Sequence, residues 1–241
     1  MVSNYIVIVA GGSGKRMDAT VPKQFLLLNG RPILMHTCER FYQYDHTLSF
    51  VIVLPSEHIE TWNALCKEYA FSIPHKTIAG GVERFYSVKN ALDLIQRHQN
   101  SQNALVAIHD GVRPLVSLET IRKAFVVAEE KGNAIPVIAV IDSVRKVEAY
   151  GSSIVDRTQL RLIQTPQVFK LSLITKAYQQ PFSESFTDDA SVLETMGETI
   201  ILTEGNEENI KITRPIDLVI AESLLKSTDS IKYQTPSQQK S

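Results

Sequence analysis

The sequence predicts an α/β protein in which a mostly parallel sheet is covered by helices on both faces. Three observations carry that expectation. Short β-branched runs alternate with stretches whose apolar residues recur at helical spacing, from residue 5 to residue 140. Glycine or proline closes each early run, as at Gly11-Gly12, Pro55-Ser56 and Gly80-Gly81. The segment 141–169 then breaks the rhythm and reads as a protruding β-arm.

Residues 5–10 are an apolar run entering a glycine turn, the pattern of a strand buried on both faces. Pro32 is expected at the first position of a helix that carries Ile33, Leu34, Cys38 and Phe41 on one face. Residues 50–54 are the second strand, and the next helix carries Trp62, Leu65, Cys66 and Tyr69. Residues 76–79 are a short third strand before a helix with Val88, Ala91, Leu92 and Ile95. Residues 104–108 are a fourth strand, and Ser117 caps the helix through Ile121, Ala124 and Phe125. Residues 134–140 form a further strand. In the arm, two extended segments meet at Ala149-Tyr150-Gly151-Ser152. A lone hairpin is marginal in water, so packing against another chain is expected to hold it. Thr187 is expected to cap a helix ending at Gly197, residues 198–203 return as a strand, and Pro215 opens the last helix. Residues 1–226 make one domain, and the polar stretch 227–241 is expected to be a disordered tail.

Composition narrows the function classes. Hydrophobic residues at 44% and charged residues at 21% give 241 residues enough apolar surface for a full core. A net charge of −1 leaves no global footprint for nucleic acid, so local basic side chains must do any phosphate binding. Cys38 and Cys66 have no metal-ligand spacing and read as reduced core residues, without zinc. The opening apolar run is too short to span a bilayer and shows no signal-peptide pattern, so a cytoplasmic protein without a membrane partner is expected.

In sheets of this kind ligands bind outside the carboxyl ends of the strands, which directs attention to the loops after Ala10, Ala79 and Ile108. The first loop reads Ala10-Gly11-Gly12-Ser13-Gly14-Lys15-Arg16-Met17, followed by Pro22-Lys23-Gln24. Its glycines let backbone N–H groups approach phosphate oxygens, and Arg16 and Lys23 are cations able to reach them. It is not a P-loop, because Val9 stands at the first glycine and Arg16 at the hydroxyl. It is not a dinucleotide fingerprint, because Met17 stands at the third glycine and Pro55-Ser56 where an acid is needed. Alone it would be a tight turn with solvated charges.

The loop after the fourth strand reads His109-Asp110-Gly111-Val112-Arg113-Pro114. Asp110 is placed for Mg²⁺, which takes one or two carboxylates together with substrate phosphates. Arg113 can reach a phosphate from the same loop or pair with Asp110 and pin it, and the two roles are compatible. His109 reads as a hydrogen-bonded structural residue, since no nucleophile motif accompanies it. The stretch Gly80-Gly81-Val82-Glu83-Arg84-Phe85-Tyr86-Ser87 is a strand-to-helix turn whose backbone can read a base edge. Asp188-Asp189 read as first-turn helix acids in preference to metal ligands. Lys211 falls in what reads as a short apolar strand, so its side chain needs a partner.

As an ordered set, A-G-G-x-G-x-R-M, P-K-Q, G-G-x-E-R, H-D-x-x-R-P, D-R (Asp156-Arg157), T-P-Q-x-F, T-D-D-A-S and N-x-K-I-T-R-P span Tyr5 to Lys226. The set resembles the 2-C-methyl-D-erythritol 4-phosphate cytidylyltransferase family of non-mevalonate isoprenoid biosynthesis. The resemblance implies a Rossmann-like nucleotidyltransferase fold and a transferase that moves CMP from CTP to 2-C-methyl-D-erythritol 4-phosphate. The products would be 4-diphosphocytidyl-2-C-methyl-D-erythritol and pyrophosphate. It also implies a homodimer with interlocking arms. By motif position, Arg16 and Lys23 look like the residues that stabilise the transition state, and Asp110 like the Mg²⁺ ligand and a substrate contact. Ala10, Gly11, Gly12, Gly81, Arg84 and Ser87 fall where the family holds CTP. Arg157 and Lys211 resemble the catalytic pair that positions the polyol phosphate, and Arg113, Ser143, Thr165 and Thr187 look like its other contacts. Two positions depart from the pattern: Ser143 replaces a threonine of a related member but keeps the hydroxyl, and Val82 stands where an acid is frequent.

The expected reaction is in-line attack on the α-phosphorus of CTP without a covalent enzyme intermediate, resting on positioning and charge stabilisation. A ribitol-5-phosphate cytidylyltransferase would share the CTP machinery and differ in the acceptor pocket; the intact T-D-D-A-S and N-x-K-I-T-R-P segments favour methylerythritol phosphate. A non-enzymatic CTP-binding sensor would have no need of Asp110, Lys23 and Arg157 together. A nucleic-acid module would need a basic stripe that this sequence lacks.

Overall fold

β1 (Tyr5–Val9), the most apolar run near the start of the chain, lies in the interior of an eight-stranded sheet. The structure is a computed structural model that describes residues 4–11, 21–97 and 103–230. After β1 comes a small antiparallel ladder of β2 (Leu27–Leu28) and β3 (Arg31–Pro32), then α1 (Ile33–Tyr44). The strand–helix alternation continues as β4 (Ser49–Leu54), α2 (Ile59–Glu68), β5 (His75–Ala79), α3 (Arg84–Gln96), β6 (Leu105–Asp110), α4 (Leu118–Lys131) and β7 (Asn133–Ala139). The arm hairpin is β8 (Val144–Glu148) and β9 (Gly151–Val155). The chain ends with β10 (Arg161–Ile163), β11 (Gln167–Lys170), α5 (Leu171–Ala177), α6 (Asp189–Glu194), β12 (Leu202–Glu204) and α7 (Pro215–Ser230).

The sheet order is β10-β7-β11-β6-β1-β4-β5, with β12 also pairing β7. β1 runs parallel to both β4 and β6, and β4 to β5. β11 enters antiparallel between β6 and β7. The chain therefore steps from β1 outward to β4 and β5, then returns to β6 on the other side of β1. That reversal opens a crevice at the carboxyl ends of β1 and β6, the place where open α/β sheets take ligands. Val9 and Asp110 are register partners at that rim.

Alternate strand residues face opposite layers. Ile6, Ile8, Ile52 and Leu54 pack with Phe41, Trp62 and Phe125 of α1, α2 and α4. Val7, Val51, Val53 and Val106 pack with Phe85, Ile174 and Leu193 of α3, α5 and α6. Each fully buried side chain of this size contributes roughly 1.5–3 kcal/mol. A smaller cluster of Leu28, Ile33, Val112, Ile212 and Ala221 seats α7 beside the crevice.

Several expected boundaries move. Pro32 is the N-cap of α1 and not its first helical residue, because pairing with Leu27 keeps its backbone extended. Asp188, not Thr187, caps α6: its Oδ1 accepts from Ser191 N at 2.8 Å, and Ser191 Oγ accepts from Asp188 N at 3.1 Å. The strand expected at 198–203 shrinks to β12, because the Asn133 side chain takes Thr199 O and Ile201 N at 2.9 and 2.8 Å. Lys211 lies outside any strand; Ile212 N donates to Val112 O at 3.0 Å, and no ladder follows among the described residues. Only β8–β9 forms the separate arm sheet, while β10 and β11 rejoin the main one. Burial of Val168 and Phe169 draws β11 into the core. α7 passes the expected boundary at 226 and runs to Ser230, with no glycine or proline between Ile216 and Ser230 to stop it. Residues 231–241 lie outside the described ones. Among the described residues no helix is long and apolar enough to cross a membrane.

Candidate active site

The crevice is set by how closely β1 and β6 end. A Cβ on Gly111 would stand 2.9 Å from Ala10 Cβ and 3.1 Å from Leu34 Cδ1, so any side chain there would press the two loops apart. The resulting cleft, about 210 Å³, is lined by Ala10, Gly11, Lys23, Arg84, Asp110 and Lys211, among others. Its third wall is the 81–87 turn. There Gly81 N donates to Ser87 Oγ at 3.0 Å, and Ser87 Oγ donates to Glu83 O at 3.2 Å. A side chain on Gly81 would meet Tyr86 Cβ at 2.3 Å. Gly81 and Ser87 both line the cleft, as does Val82, which is 94% exposed and puts an apolar side chain at the mouth.

Asp110 is the electrostatic centre. Its Oδ2 lies 3.0 Å from Lys211 Nζ and 3.3 Å from Arg113 Nε, and its Oδ1 lies 3.9 Å from Arg84 Nε. Burial would push this carboxyl upward, but Lys211, Arg84 and Arg113 outweigh it and hold the group well below the usual carboxylate range. Arg84 in turn is gripped from behind. Its two terminal nitrogens donate to Asp189 Oδ1 and Oδ2 at 2.7 and 2.6 Å, and Tyr178 OH donates to Asp189 Oδ1 at 2.6 Å. Burial opposes the Arg84 charge; Asp189, with Asp110 adding to it, reverses that and raises the guanidinium above its ordinary value.

Behind Asp110 sits a fully buried His109. Thr165 Oγ1 accepts from Asp110 N at 3.1 Å and meets His109 Nδ1 at 3.0 Å, while His109 Nε2 meets Arg113 O at 3.1 Å. One proton arrangement satisfies all three: the hydroxyl donates to Nδ1 and the Nε2–H donates to the carbonyl. Burial lowers this imidazole to about 4, so it is neutral and structural near neutral pH. Arg113 also donates to Asn209 O at 2.7 Å, and Asn209 Nδ2 donates to Thr165 O at 2.8 Å. These bonds place the backbone that carries Lys211.

The structure thus brings Ala10, Gly11, Lys23, Gly81, Arg84, Ser87, Asp110 and Lys211 into one cleft. Arg113 and Thr165 stand just behind it as a pin. Ser143 and Arg157 are exposed on the arm side, outside the lining of their own chain's cleft; Arg157 donates to Ile141 O. Thr187 is exposed immediately before α6. Gly12 and Arg16 lie outside the described residues. Sequence reasoning missed the Asp189–Tyr178 grip on Arg84, reading Asp189 only as a helix-end acid. It noted Gln167 within T-P-Q-x-F but not its partners: the amide bonds Asp188 Oδ2 and Ala190 N at 2.8 Å each. A larger cavity, about 480 Å³, opens at the opposite rim among Tyr5, Ser49, His75 and Ile95. It lies at the amino ends of β1, β4 and β5, away from the loops that gather the cations.

A switch-point cleft in an α/β sheet that gathers Lys23, Arg84 and Lys211 around the ionised Asp110 is built for a phosphate-bearing ligand, and its likeness to known proteins makes the class a nucleotidyltransferase. The family model for 2-C-methyl-D-erythritol 4-phosphate cytidylyltransferase matches residues 4–227, and the chain belongs to that family. It is 50% identical over 220 residues to the protein of that name from Bacteroides thetaiotaomicron, covering 91% of this chain and 98% of that one. The solved structure of the Thermus thermophilus protein of that name is 28% identical with a TM-score of 0.73, over 94% of this chain and 100% of that one. A 4-diphosphocytidyl-2C-methyl-D-erythritol synthase from Anaerococcus prevotii, at 24% identity and a TM-score of 0.79, covers 93% of this chain and 96% of its own and bears on the fold alone.

Proposed function

We propose that this chain transfers CMP from CTP to 2-C-methyl-D-erythritol 4-phosphate, forming 4-diphosphocytidyl-2-C-methyl-D-erythritol and releasing pyrophosphate. The observation that carries the proposal is the convergence of Lys23, Arg84, Lys211 and Asp110 on one switch-point cleft in a member of this family. The 10–11 and 81–87 turns lay glycine backbone along the nucleotide. Lys23 draws charge from the α-phosphate as an acceptor phosphate oxygen attacks the α-phosphorus. The bond to the bridging oxygen breaks, and pyrophosphate leaves with its electron pair. The acceptor phosphate is already anionic, so no base has to take a proton from it. Catalysis is then positioning plus fixed charge. Lys211, held by Asp110, positions the acceptor phosphate together with Arg157 and Ser143 brought in by the arm of a second copy and with Thr187, while Arg113 and Thr165 support it from behind the cleft. Arg16 shares the role of Lys23.

Mg²⁺ belongs to this reading. Asp110 would hold it, because a single carboxylate at the end of β6 suits an ion carried in on phosphates, and its Oδ1 stands 3.9 Å from Arg84 Nε. When bound, the ion neutralises charge on the departing pyrophosphate. The arm belongs to a homodimer: Val147, Tyr150 and Ile154 are 83%, 101% and 84% exposed, an apolar surface that a second copy would cover. A cytoplasmic setting completes the reading, and the free thiols Cys38 and Cys66 suit a reducing compartment. Pyrophosphate release across four nucleotides and two acceptors tests the proposal. CTP with methylerythritol phosphate should be fastest; faster turnover with ribitol 5-phosphate, or with another nucleotide, overturns it.

A further inference from the structure

Arg84 is held in a way that the reaction alone does not require. Its terminal nitrogens are both committed to Asp189, a residue with no solvent exposure. This fixes the guanidinium plane and leaves Nε facing Asp110 at 3.9 Å, too far for a close ion pair. The grip is itself braced. Tyr178 donates to Asp189 and stacks on Phe85 with ring centres 4.7 Å apart, so the residue next to Arg84 leans on the same tyrosine. α6, which carries Asp189, is clamped by its capping box and by Gln167. A buried ion pair is a weak source of stability, since apolar groups of the same volume often do as well. The arrangement therefore points to orientation. With Asp189 neutral, Asp110 would be the acid left acting on Arg84 among the described residues, and Arg84 would be free to close on its Oδ1.

We infer that Asp189, braced by Tyr178, is a positioning residue that fixes Arg84 in the wall of the cleft and holds it back from Asp110. It thereby sets the affinity of the cleft for CTP. The inference rests on the proposal that the cleft takes CTP, and it acts through Arg84 alone. Asp189→Asn keeps the shape of the side chain and removes its charge.

The test measures CTP dissociation constants by calorimetry, with KM and kcat from pyrophosphate release. It compares the wild type, Asp189→Asn, Arg84→Lys and the double variant. Asp189→Asn should weaken CTP binding and raise KM by roughly tenfold or more, the scale of a lost hydrogen bond to a charged group, with a smaller change in kcat. In the Arg84→Lys background the same substitution should add little. Additive losses in the double variant, or an unchanged CTP dissociation constant in Asp189→Asn, would overturn the inference. If Asp189→Asn does not fold, Tyr178→Phe carries the comparison, with a smaller loss in the same direction expected and unchanged CTP binding contradicting it. A wild type that binds CTP but transfers nothing to the acceptor defeats only the transfer reading; one that binds no CTP defeats both.

Discussion

The cleft rim and the arm are built on opposite terms. At the rim, Asp110 is 8% exposed and faces three cations, and Arg84 is fixed by the Asp189 carboxylate behind it. Along the β8–β9 arm, Tyr150 is fully exposed and Val147 and Ile154 nearly so. The rim is over-determined within one chain, and the arm is under-determined. Under the proposed function, that difference separates what one chain would do alone, hold a triphosphate, from what a second copy would complete.

Removing a rim cation should have the largest effect. Lys23→Ala is expected to lower kcat by about 10²–10³-fold, or about 3–4 kcal/mol in the transition state, with the melting temperature little changed. Steady-state pyrophosphate release and a thermal scan together check this; near-normal turnover would remove Lys23 from the chemistry. The next test acts on the floor of the rim. Folded His109 titrates near 4 and an unfolded imidazole near 6.5, so the unfolded chain binds the extra proton between those values. Stability from this group is complete above about 6.5 and falls as pH drops toward 4, by up to about 3 kcal/mol. Asp110 has the same sign at lower pH, its contribution being lost below the ordinary carboxylate range. Urea unfolding at pH 7 and 4.5 measures the loss, and His109→Gln should flatten it; equal slopes for both proteins would contradict the assignment.

Gly111→Ala sharpens the comparison from the packing side. The added Cβ presses on Ala10 and Leu34 at 2.9 and 3.1 Å, and overpacking of this kind costs about 1–3 kcal/mol. An unfolding midpoint unchanged by that methyl would mean the two rim loops are looser than they stand. The smallest effect on the fold belongs to the arm. Ile154→Asp should change chain stability by less than about 0.5 kcal/mol, since the site is already exposed. It should instead shift sedimentation toward the monomer. A wild type that is monomeric at working concentrations would remove the arm from any assembly.

Much of the rim is legible in the sequence because it lies in contiguous loops at strand ends. The runs ending in Ala10 and Ile108 predict buried strands, and the loops after them supply Gly11, Lys23 and Asp110 together. Long-range pairing is not legible. Arg84 and Asp189 are 105 residues apart, and nothing in one sequence joins them. Thr187 and Asp188 both suit an N-cap, and only the reciprocal bonds with Ser191 decide between them. The sequence pattern overdraws the arm because 161–163 and 167–170 read as extended whether they pair with each other or with β7 and β6. The apolar neighbours of Lys211 suggest a strand, whereas Asp110 is what fixes it.

A crystal structure with CTP and Mg²⁺ bound tests the central claim most directly. The triphosphate should lie in the cleft at the ends of β1 and β6, with Lys23 at the α-phosphate, Asp110 on the ion and Arg84 still paired to Asp189. A triphosphate bound at the opposite rim, or one out of reach of both Lys23 and Asp110, would contradict it.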